Sequence, residues 1–385
     1  MTMRVAIATE SFLPTVNGVT TSVCRVAEQL GALGHEVLVV SPRPAPDRFA
    51  GHRVATVPSV SVRSFPTGLP TREVRHVLAR FAPDVLHVAS PFVLGARALR
   101  DAAHLGIPAV AVYQTDVPAY LAQHVGPVGP RASSTAWRWV RRVHSLAGRT
   151  LAPSRGTLDE LRAHGVPRTA LWARGVDAAL FHPDRRPSPR VTDLRARLAP
   201  DGEVLVGYVG RLAPEKELGR LAEVVRTPGA RLVVVGDGPG RDATEHLLRG
   251  VASTALAPEP LFLGHRSGTD LADAYAALDV FVHTGTRETF GQTLQEAAAS
   301  GLPVVAPARG GPLDLVDHGR TGLLFDPVGP GSLGLAVARL VEDAALRHRM
   351  GDAGRERVAG RTWAVLTDEL VGHYDAVRKR TALAA

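Results

Sequence analysis

The chain has 385 residues, 45% of them hydrophobic and 21% charged, so its length suggests two domains and its composition excludes an intrinsically disordered protein. No run of about 18 apolar residues occurs, which excludes a membrane-spanning helix, and the single cysteine, Cys24, excludes an internal disulfide and a cysteine-rich metal site. The first residues lead directly into an apolar strand without the pattern of an export signal, so we predict a cytoplasmic protein.

The positive charge is concentrated in the N-terminal half. The formal net charge is +8, and residues 1–183 carry 20 arginines against 11 acidic residues, whereas residues 184–385 carry 25 basic against 26 acidic residues. This asymmetry indicates an anionic partner for the first half: a lipid surface, a phosphorylated acceptor or nucleic acid. Arginine drift without a specific partner is the alternative, because only Lys216 and Lys379 are lysines among the 45 basic residues.

Short apolar runs alternate with helical stretches from the first residues onward. In the first half the predicted strands are 5–9, 36–41, 53–57, 84–89, 109–113, 150–152 and 170–173. Apolar residues at steps of three and four, from Val19 to Leu33, predict a helix between the first two strands. Gly34 is expected to end it.

The second half repeats this alternation. Its predicted strands are Val204–Val209, 231–235, 261–263, 279–283, 303–306 and Gly322–Phe325. Near-continuous Val and Leu runs are typical of strands buried on both faces of a parallel sheet. We therefore predict an α/β fold with two Rossmann-like domains, whose parallel sheets face each other across a deep, ligand-binding cleft.

The expected domain limits follow from these elements. We predict an N-terminal domain over 1–183 and a C-terminal domain over 184–361. The Pro- and Arg-rich stretch 181–189 is expected to link them, and a last helix, 362–385, is expected to pack back towards the first domain.

The strongest motif runs from Glu288 to Glu296. It follows a predicted strand and opens a helix, so the amides of 290–294 belong to an exposed first turn that suits an anion such as a diphosphate. The two acids, eight residues apart, fit a nucleotide-sugar, one for sugar hydroxyls and one for ribose hydroxyls. The alternative makes Glu288 a helix-start acid and Glu296 a solvated surface residue.

A second cluster follows strand Val204–Val209. Arg211 and Lys216 are cations on a loop at the carboxyl end of a strand, where they can meet phosphates. A compact ammonium suits a diphosphate as a point charge. The alternative is a surface charge pair with Glu215 or Glu217.

Weaker signals lie elsewhere. The loop 14–20, with Asn17 and Gly18 before the first helix, allows close approach of backbone to a ligand. The turn 236–240 is interpreted as lining a nucleotide pocket. His87 and His283 end strands and either touch substrate or belong to the core. The segment 137–144, with two tryptophans and three arginines, lies on a membrane or forms a structural helix.

Three motifs together, 210–216, 236–239 and 288–296, resemble those of the retaining glycosyltransferases of family 4, which have the GT-B architecture. The similarity covers nearly the whole chain. In the first half, the stretches 10–19, 113–120 and 137–144 are most similar to actinobacterial GDP-mannose-dependent α-mannosyltransferases that act on lipid acceptors.

The resemblance implies roles for individual residues. Arg211 and Lys216 would hold the donor diphosphate, Glu288 would orient the transferred sugar and Glu296 would bind the ribose. The implied catalytic residues are Arg211, Lys216, Glu288 and Asp116. The implied donor-binding residues are Gly18, Gly210, Arg211, Lys216, Thr289, Phe290, Gly291, Gln292, Thr293 and Glu296. On the acceptor side the resemblance implies Asn17, Gln114, Asp116 and His87.

One position departs from the family pattern. Many relatives carry histidine where this chain has Gln114, and an amide cannot act as an acid or a base. Either Asp116 takes a charge-stabilising role, or the backbone of that loop faces the anomeric carbon.

The resemblance implies transfer of a hexose, mannose from GDP-mannose, with retention to a hydroxyl of a glycolipid or other small acceptor. The alternatives are a UDP-sugar-dependent transferase of the same family, a nucleotide-sugar epimerase and a non-catalytic anion-binding protein. No Asp-x-Asp pair occurs in the sequence, so we expect no metal and no cofactor beyond the nucleotide-sugar substrate. We also expect no nucleic-acid partner, and peripheral contact with the inner face of the cell membrane.

Overall fold

The computed structural model describes residues 2–15, 17–62, 65–114 and 130–384. The chain divides into two compact units. The first comprises Met1–Arg174 together with Trp363–Ala385, and the second comprises Gly175–Thr362.

The first unit is built on a largely parallel sheet. Its strands are β1 (Arg4–Ala8), β2 (Glu36–Pro42), β3 (Arg48–Phe49), β4 (His52–Val57), β7 (Val85–Val88), β8 (Ala109–Val112), β9 (Arg149–Ala152) and β10 (Thr169–Leu171). They lie in the order β10-β9-β8-β7-β1-β2-β4-β3, and only β3 runs antiparallel to its neighbour. A separate antiparallel pair joins β5 (Ser59–Val62) to β6 (Phe65–Gly68).

Helices cover this sheet: α1 (Gly18–Ala32), α2 (Glu73–Phe81), α3 (Val93–His104), α4 (Pro130–His144), α5 (Arg155–Ala163) and the C-terminal helix (Trp363–Ala384). The central strands are buried because Val, Leu and Ala occupy both faces of the sheet. The C-terminal helix is fixed to the unit by two buried hydrogen bonds. Trp172 Nε1 donates to the carbonyl of Leu366 over 2.7 Å, and the hydroxyl of Tyr374 lies 2.8 Å from His87 Nδ1.

The second unit contains a six-stranded parallel sheet. Its strands are β11 (Val204–Val209), β12 (Ala230–Val235), β13 (Leu261–Gly264), β14 (Val280–Val282), β15 (Val304–Pro307) and β16 (Gly322–Phe325), in the order β13-β12-β11-β14-β15-β16. The switch of direction beside β11 brings the carboxyl ends of β11 and β14 together, which is where open sheets of this kind bind ligands.

Helices and short 3₁₀ turns complete the second unit. The helices are α6 (Pro189–Leu198), α7 (Leu221–Val225), α8 (Arg241–Ala255), α9 (Gly268–Ala277), α10 (Gln292–Ala299), α11 (Pro312–Leu315), α12 (Ser332–Glu342) and α13 (Ala344–Ala359). The 3₁₀ turns are Pro183–Arg185, Pro214–Lys216 and Leu218–Arg220.

The predicted α/β class and the predicted strands are confirmed, with ends within two residues. The short strands β3, β5 and β6 were missed, because two- to four-residue antiparallel strands leave little periodicity. Leu33 is 47% exposed, since it caps the helix rather than facing the sheet.

The stretch 181–189 is not a free linker. Phe181 is 6% exposed, and Arg185 donates to Asp273 Oδ1 over 2.7 Å while Arg186 pairs with Asp279. These ion pairs attach the stretch to the second unit, because aspartates on helix α9 and just before β14 match its arginines. The sequence composition could not reveal those partners.

Candidate functional site

The two strongest sequence motifs meet in the second unit. Lys216, in the turn after β11, places Nζ 2.8 Å from Oε2 of Glu288, which lies in the loop between β14 and α10. The side chains are 23% and 18% exposed, so the pair is largely but not fully withdrawn from water. Since Glu288 precedes the helix by four residues, it is not a helix-start acid.

The loop after β14 is tied to the turn that carries Lys216. Thr284 donates its hydroxyl hydrogen to the carbonyl of Lys216 over 2.6 Å. Thr286 donates its amide to Glu217 over 3.2 Å, and its hydroxyl also contacts that carboxylate. These bonds fix the positions of Lys216 and Glu288 relative to each other.

Arg211 lies at the exposed edge of the same loop. Its side chain is 56% exposed and forms an ion pair with Glu215. This is the surface pair that the sequence left open as an alternative. An exposed pair of this kind contributes little stability, about 0–1 kcal/mol, so the guanidinium can exchange Glu215 for an anionic ligand at small cost.

The glycine turn after β12 packs directly on the loop after β11. A Cβ at Gly236 would lie 2.0 Å from the carbonyl oxygen of Gly210, and one at Gly238 would lie 2.4 Å from that of Leu212. The amide of Gly240 donates to Leu212 over 2.8 Å. The turn therefore supports the loop that carries Arg211 and Lys216.

A second glycine pair, which the sequence analysis missed, holds the backbone around Glu288. The amide of Gly311 donates to the carbonyl of Glu288 over 2.7 Å. A Cβ at Gly311 would lie 2.2 Å from the carbonyl oxygen of Phe290, and one at Gly310 would lie 2.7 Å from that of Glu288. Two consecutive glycines shortly after a predicted strand were the available signal.

Helix α10 begins beside Glu288. Gly291 caps it with a left-handed backbone, φ +104°, that glycine adopts readily. Phe290 is 1% exposed, so its ring packs inside the second unit and cannot contact a ligand as the residue stands. Gln292 donates its amide to the carbonyl of Gly175 over 3.1 Å. The start of the helix thus presents main-chain amides and the positive end of the helix dipole.

Glu296 is held by a buried tyrosine. The hydroxyl of Tyr275 lies 3.1 Å from Glu296 Oε2 and 3.3 Å from the carbonyl of Thr293. Burial and the neighbouring carboxylate raise the pKa of Tyr275 well above its usual value, so the phenol stays a donor. Glu296 is therefore oriented by the protein and is not a freely solvated surface acid.

His283 lies next to Glu288. It is 2% exposed, and Nε2 is 3.7 Å from Glu288 Oε2, the oxygen that Lys216 contacts. Burial lowers the pKa of His283 to about 4, against a smaller upward effect of Glu288. The imidazole is therefore neutral near pH 7. His283 is buried, as expected of a core histidine, but the charged groups beside it are those of Glu288 and Lys216, two candidate site residues.

In the first unit the loop between β1 and α1 is closed by Asn17. Its Oδ1 accepts hydrogen bonds from the amides of Val19 and Thr20, each 3.0 Å away, which is N-cap geometry. Its Nδ2 donates to Ser11 Oγ over 2.7 Å. Asn17 therefore fixes the start of α1, beside Gly18.

A buried arginine, Arg174, accompanies this loop. It is 8% exposed, and Nη2 donates to Gln114 Oε1 over 2.5 Å, while Gln114 donates to the carbonyl of Ala89 over 3.0 Å. A Cβ at Gly18 would lie 3.1 Å from Arg174 Nη1. Gln114 thus orients a cation that the sequence analysis did not single out. Its only signal was an arginine directly after a predicted strand.

The structure corrects the acceptor-side prediction for His87. Its ring is 2% exposed, lies edge-on to Trp172 and Tyr374, and shares a buried hydrogen bond with Tyr374, so it is a core residue. Asp116 lies outside the described residues.

Glu10, which was not predicted, points its carboxylate at the amides that begin α3, and burial raises its pKa to about 7.

The tryptophans of α4 face the protein. Trp137 is 7% exposed and stacks on His164 with ring centroids 3.8 Å apart, and Trp139 meets Phe92 edge-on at 5.8 Å. Arg138, Arg141 and Arg142 of the same helix are exposed. The interpretation in which both rings insert into a membrane is therefore wrong for Trp137, whereas a basic helix face is present.

Neither a membrane-spanning helix nor a metal-binding cluster occurs among the described residues. Within that part of the chain, no helix combines the length and apolar character that crossing a bilayer requires. No group of three or more His, Cys, Asp or Glu side chains in those ranges is arranged to hold a metal ion.

Comparison with protein families gives two matches. Residues 16–180 match the model described as Glycosyltransferase Family 4, and residues 190–357 match the one described as Glycosyl transferases group 1. The chain is 49% identical over 395 residues to the GDP-mannose-dependent alpha-mannosyltransferase of Mycobacterium tuberculosis, covering all of this chain and 99% of the relative. It is 42% identical to the protein of that name from Corynebacterium glutamicum, covering 97% of this chain and 88% of the relative.

Solved structures share the fold. Anabaena Alr3699/HepE, crystallised in complex with UDP, superposes with a TM-score of 0.79 at 20% identity, covering 97% of this chain and all of the other. Sucrose-phosphate synthase from Thermosynechococcus elongatus gives a TM-score of 0.77 at 23% identity, covering 97% and 98%.

Proposed function

The chain belongs to glycosyltransferase family 4 with the GT-B fold, and from that premise we propose that it is a retaining α-mannosyltransferase that uses GDP-mannose as its donor. The observation that carries this proposal is full-length identity of 49% and 48% to two mycobacterial proteins of that activity. The motifs that meet at Lys216 and Glu288 supply the chemistry that such a reaction needs.

The donor diphosphate is bound by the loop after β11. In this proposal Arg211 and Lys216 exchange their present carboxylate partners for phosphate oxygens, with Gly210 giving the loop its close approach. The amides at the start of α10 supply further hydrogen bonds through the backbone of Thr289, Phe290, Gly291, Gln292 and Thr293. Gly18 is also proposed to bind the donor.

The two acids divide the rest of the donor. Glu288, no longer paired with Lys216, accepts hydrogen bonds from hydroxyls of the transferred mannose. Glu296, already oriented by Tyr275, accepts hydrogen bonds from the ribose hydroxyls. Glu288 lies in the loop before α10 and Glu296 lies one turn inside that helix, so the two carboxylates stand at different positions along the donor site.

The reaction is a front-face displacement. The bond between the anomeric carbon and the diphosphate oxygen breaks while the acceptor oxygen bonds to that carbon on the same face, so configuration is retained. Negative charge grows on GDP and is stabilised by Arg211, Lys216 and the helix amides. The departing phosphate oxygen takes the proton of the acceptor hydroxyl, so no side chain has to serve as the base.

The acceptor is assigned to the first unit, and the donor to the second. Asn17 and Gln114 stand on the acceptor side, where their hydrogen bonds order the β1–α1 loop and Arg174. Asp116 is proposed to stabilise positive charge on the transferred sugar, because Gln114 cannot take or give a proton.

We propose a lipid-linked hydroxyl acceptor and peripheral contact with an anionic membrane. The excess of 20 arginines over 11 acids in residues 1–183 supports this, as do the exposed arginines of α4. The reaction is proposed to need no metal, on the ground that the sequence contains no Asp-x-Asp pair.

One experiment tests the donor and the reaction together. Purified protein is incubated with a lipid extract and radiolabelled GDP-mannose, UDP-glucose or ADP-glucose, with and without EDTA. Label that enters lipid from GDP-mannose alone, in an α linkage, supports the proposal. Transfer from another donor instead, or sugar conversion without an acceptor, overturns it, and loss of transfer in EDTA overturns metal independence.

A further inference from the structure

The strongest feature not used by the proposed reaction is the buried side chain of His283. Its position directly after β14 aims the ring at the carboxylate of Glu288. Neither ring nitrogen forms a well-aligned hydrogen bond with the described residues, although a weaker contact with the backbone of Gly285 raises the pKa of the ring slightly. Buried polar atoms without partners are costly, about 1–3 kcal/mol each, so such an arrangement calls for an explanation.

The side chains of Lys216 and His283 both lie close to the same oxygen, Oε2 of Glu288. Lys216 Nζ is 2.8 Å from Glu288 Oε2 and His283 Nε2 is 3.7 Å from the same atom. The second distance exceeds a hydrogen bond, and a movement of less than about 1 Å would close it. His283 can therefore donate a hydrogen bond to Glu288 after a small movement, whereas Lys216 contacts the carboxylate in the present structure.

Binding of the donor would change which side chain contacts Glu288. The proposed function requires Lys216 to face the diphosphate, and a carboxylate only 18% exposed would then lose its cation. Removing the cation from a largely buried ion pair costs several kcal/mol unless other donors move towards the carboxylate. A neutral imidazole that donates from Nε2 would lower that cost without competing with Lys216 for the phosphate.

We propose that His283 is a positioning residue that takes over Oε2 of Glu288 when Lys216 turns to the donor diphosphate. His283 thereby releases Lys216 for the phosphates and keeps Glu288 ionised and oriented for the sugar. This inference rests on the proposed function and assigns a role to a residue outside it.

The tie between the loops favours this exchange. Thr284 bonds to the carbonyl of Lys216 over 2.6 Å, and a Cβ at Gly285 would lie 3.4 Å from Lys216 Cα and 3.5 Å from His283 Nε2. The backbone around the three side chains is thus closely packed, so only their ends need to move.

The test is a double-mutant cycle on GDP affinity, measured by calorimetry on the full chain. The proteins are the wild type, His283→Leu, Glu288→Gln and the double variant. We expect His283→Leu to weaken GDP binding five- to tenfold, because Lys216 stays tied to Glu288. In the Glu288→Gln background, where Lys216 is already free, the same change should alter GDP affinity less than twofold.

Two further variants separate positioning from folding. His283→Gln keeps an N–H donor at about the position of Nε2 and should restore GDP affinity to within twofold of the wild type. His144→Leu removes another buried histidine in the other unit and should leave GDP affinity unchanged. An equal effect of His283→Leu in both backgrounds, or no effect in the wild-type background, overturns the proposal. A wild type that binds no GDP overturns the proposed function instead.

Discussion

The ammonium of Lys216 lies 2.8 Å from a carboxylate oxygen of Glu288, although 72 residues separate them in the chain. The pair joins the predicted cationic motif, 210–216, to the predicted acidic motif, 288–296. It also makes the chain's two lysines a natural comparison, since Lys379 is exposed on the C-terminal helix.

The first prediction concerns this lysine. Lys216→Met should lower kcat/KM for GDP-mannose by 10- to 100-fold, because a charge-assisted contact to phosphate worth about 1.5–3 kcal/mol is lost. Lys379→Met, the matched control, should leave it unchanged. Steady-state kinetics of both variants decide the matter. Equal rates for the two would remove Lys216 from the donor site.

The second prediction tests the hold of Tyr275 on Glu296. Tyr275→Phe removes one buried hydrogen bond, so KM for GDP-mannose should rise three- to tenfold with little change in kcat. The effect should disappear with a donor that lacks ribose hydroxyls. A comparable rise in KM for this 2′,3′-dideoxy donor would mean that Glu296 does not bind ribose.

The third prediction concerns Gly311. An alanine there would place Cβ 2.2 Å from the carbonyl oxygen of Phe290 and displace the backbone that carries Glu288. Gly311→Ala should cost about 1–3 kcal/mol of stability and most of the transfer activity. Gly360→Ala, where a Cβ meets nothing within 4 Å, is the control. Urea unfolding and kinetics measure both, and a fully active Gly311→Ala protein would contradict the assignment.

The fourth prediction separates activity from stability at Gly18. An added Cβ would lie 3.1 Å from Arg174 Nη1, so the guanidinium has to move by a few tenths of an ångström. Gly18→Ala should reduce kcat/KM three- to tenfold without lowering the melting temperature. Gly250→Ala, in the exposed middle of α8, should raise stability by about 0.5–1 kcal/mol at unchanged activity. Full activity of Gly18→Ala would show that this packing does not matter to transfer.

The fifth prediction is the pH dependence of stability. Burial lowers the pKa of His87 to about 3 and those of His144 and His283 to about 4. The unfolded chain binds these protons near pH 6.5, so stability is complete above that pH and falls as the pH drops towards 4. Glu10, whose pKa burial raises to about 7, opposes this trend because its contribution grows on acidification.

Three histidines outweigh one glutamate, so the free energy of unfolding should fall by about 3–5 kcal/mol between pH 6.5 and 4.5. Urea titrations across this range measure it. His144→Asn should flatten the decline, and Glu10→Gln should steepen it. A wild type whose stability stays level or increases on acidification would contradict the burial of these histidines.

Much of the architecture could be predicted from local pattern. Runs such as 232–235 identified central strands because burial on both faces demands apolar residues throughout. Lys216 and Glu288 could be singled out because each follows a strand of a parallel sheet. Their contact could not be predicted, since it depends on β11 and β14 being neighbours, which no local pattern encodes.

Residues whose role depends on partners far away in the chain could not be predicted from the sequence. Arg174 becomes notable only because it contacts Gln114 and lies close to Gly18, and Gly311 only because a side chain there would meet the backbone of Phe290. His87 was assigned to the acceptor side because the sequence of a strand end is the same whether the strand ends at the solvent or under another element. Here Tyr374, 287 residues away, covers it.

The second unit begins and ends at one place. Val176 pairs with Thr362 in a parallel bridge, and its amide bonds to the carbonyl of Arg361 over 2.9 Å. Residues 175–362 are therefore one continuous segment with neighbouring ends, inserted into a first unit that consists of two separate segments. A gene fragment encoding residues 175–362 is a natural candidate for expression by itself, whereas the two segments of the first unit would have to be joined by a short linker.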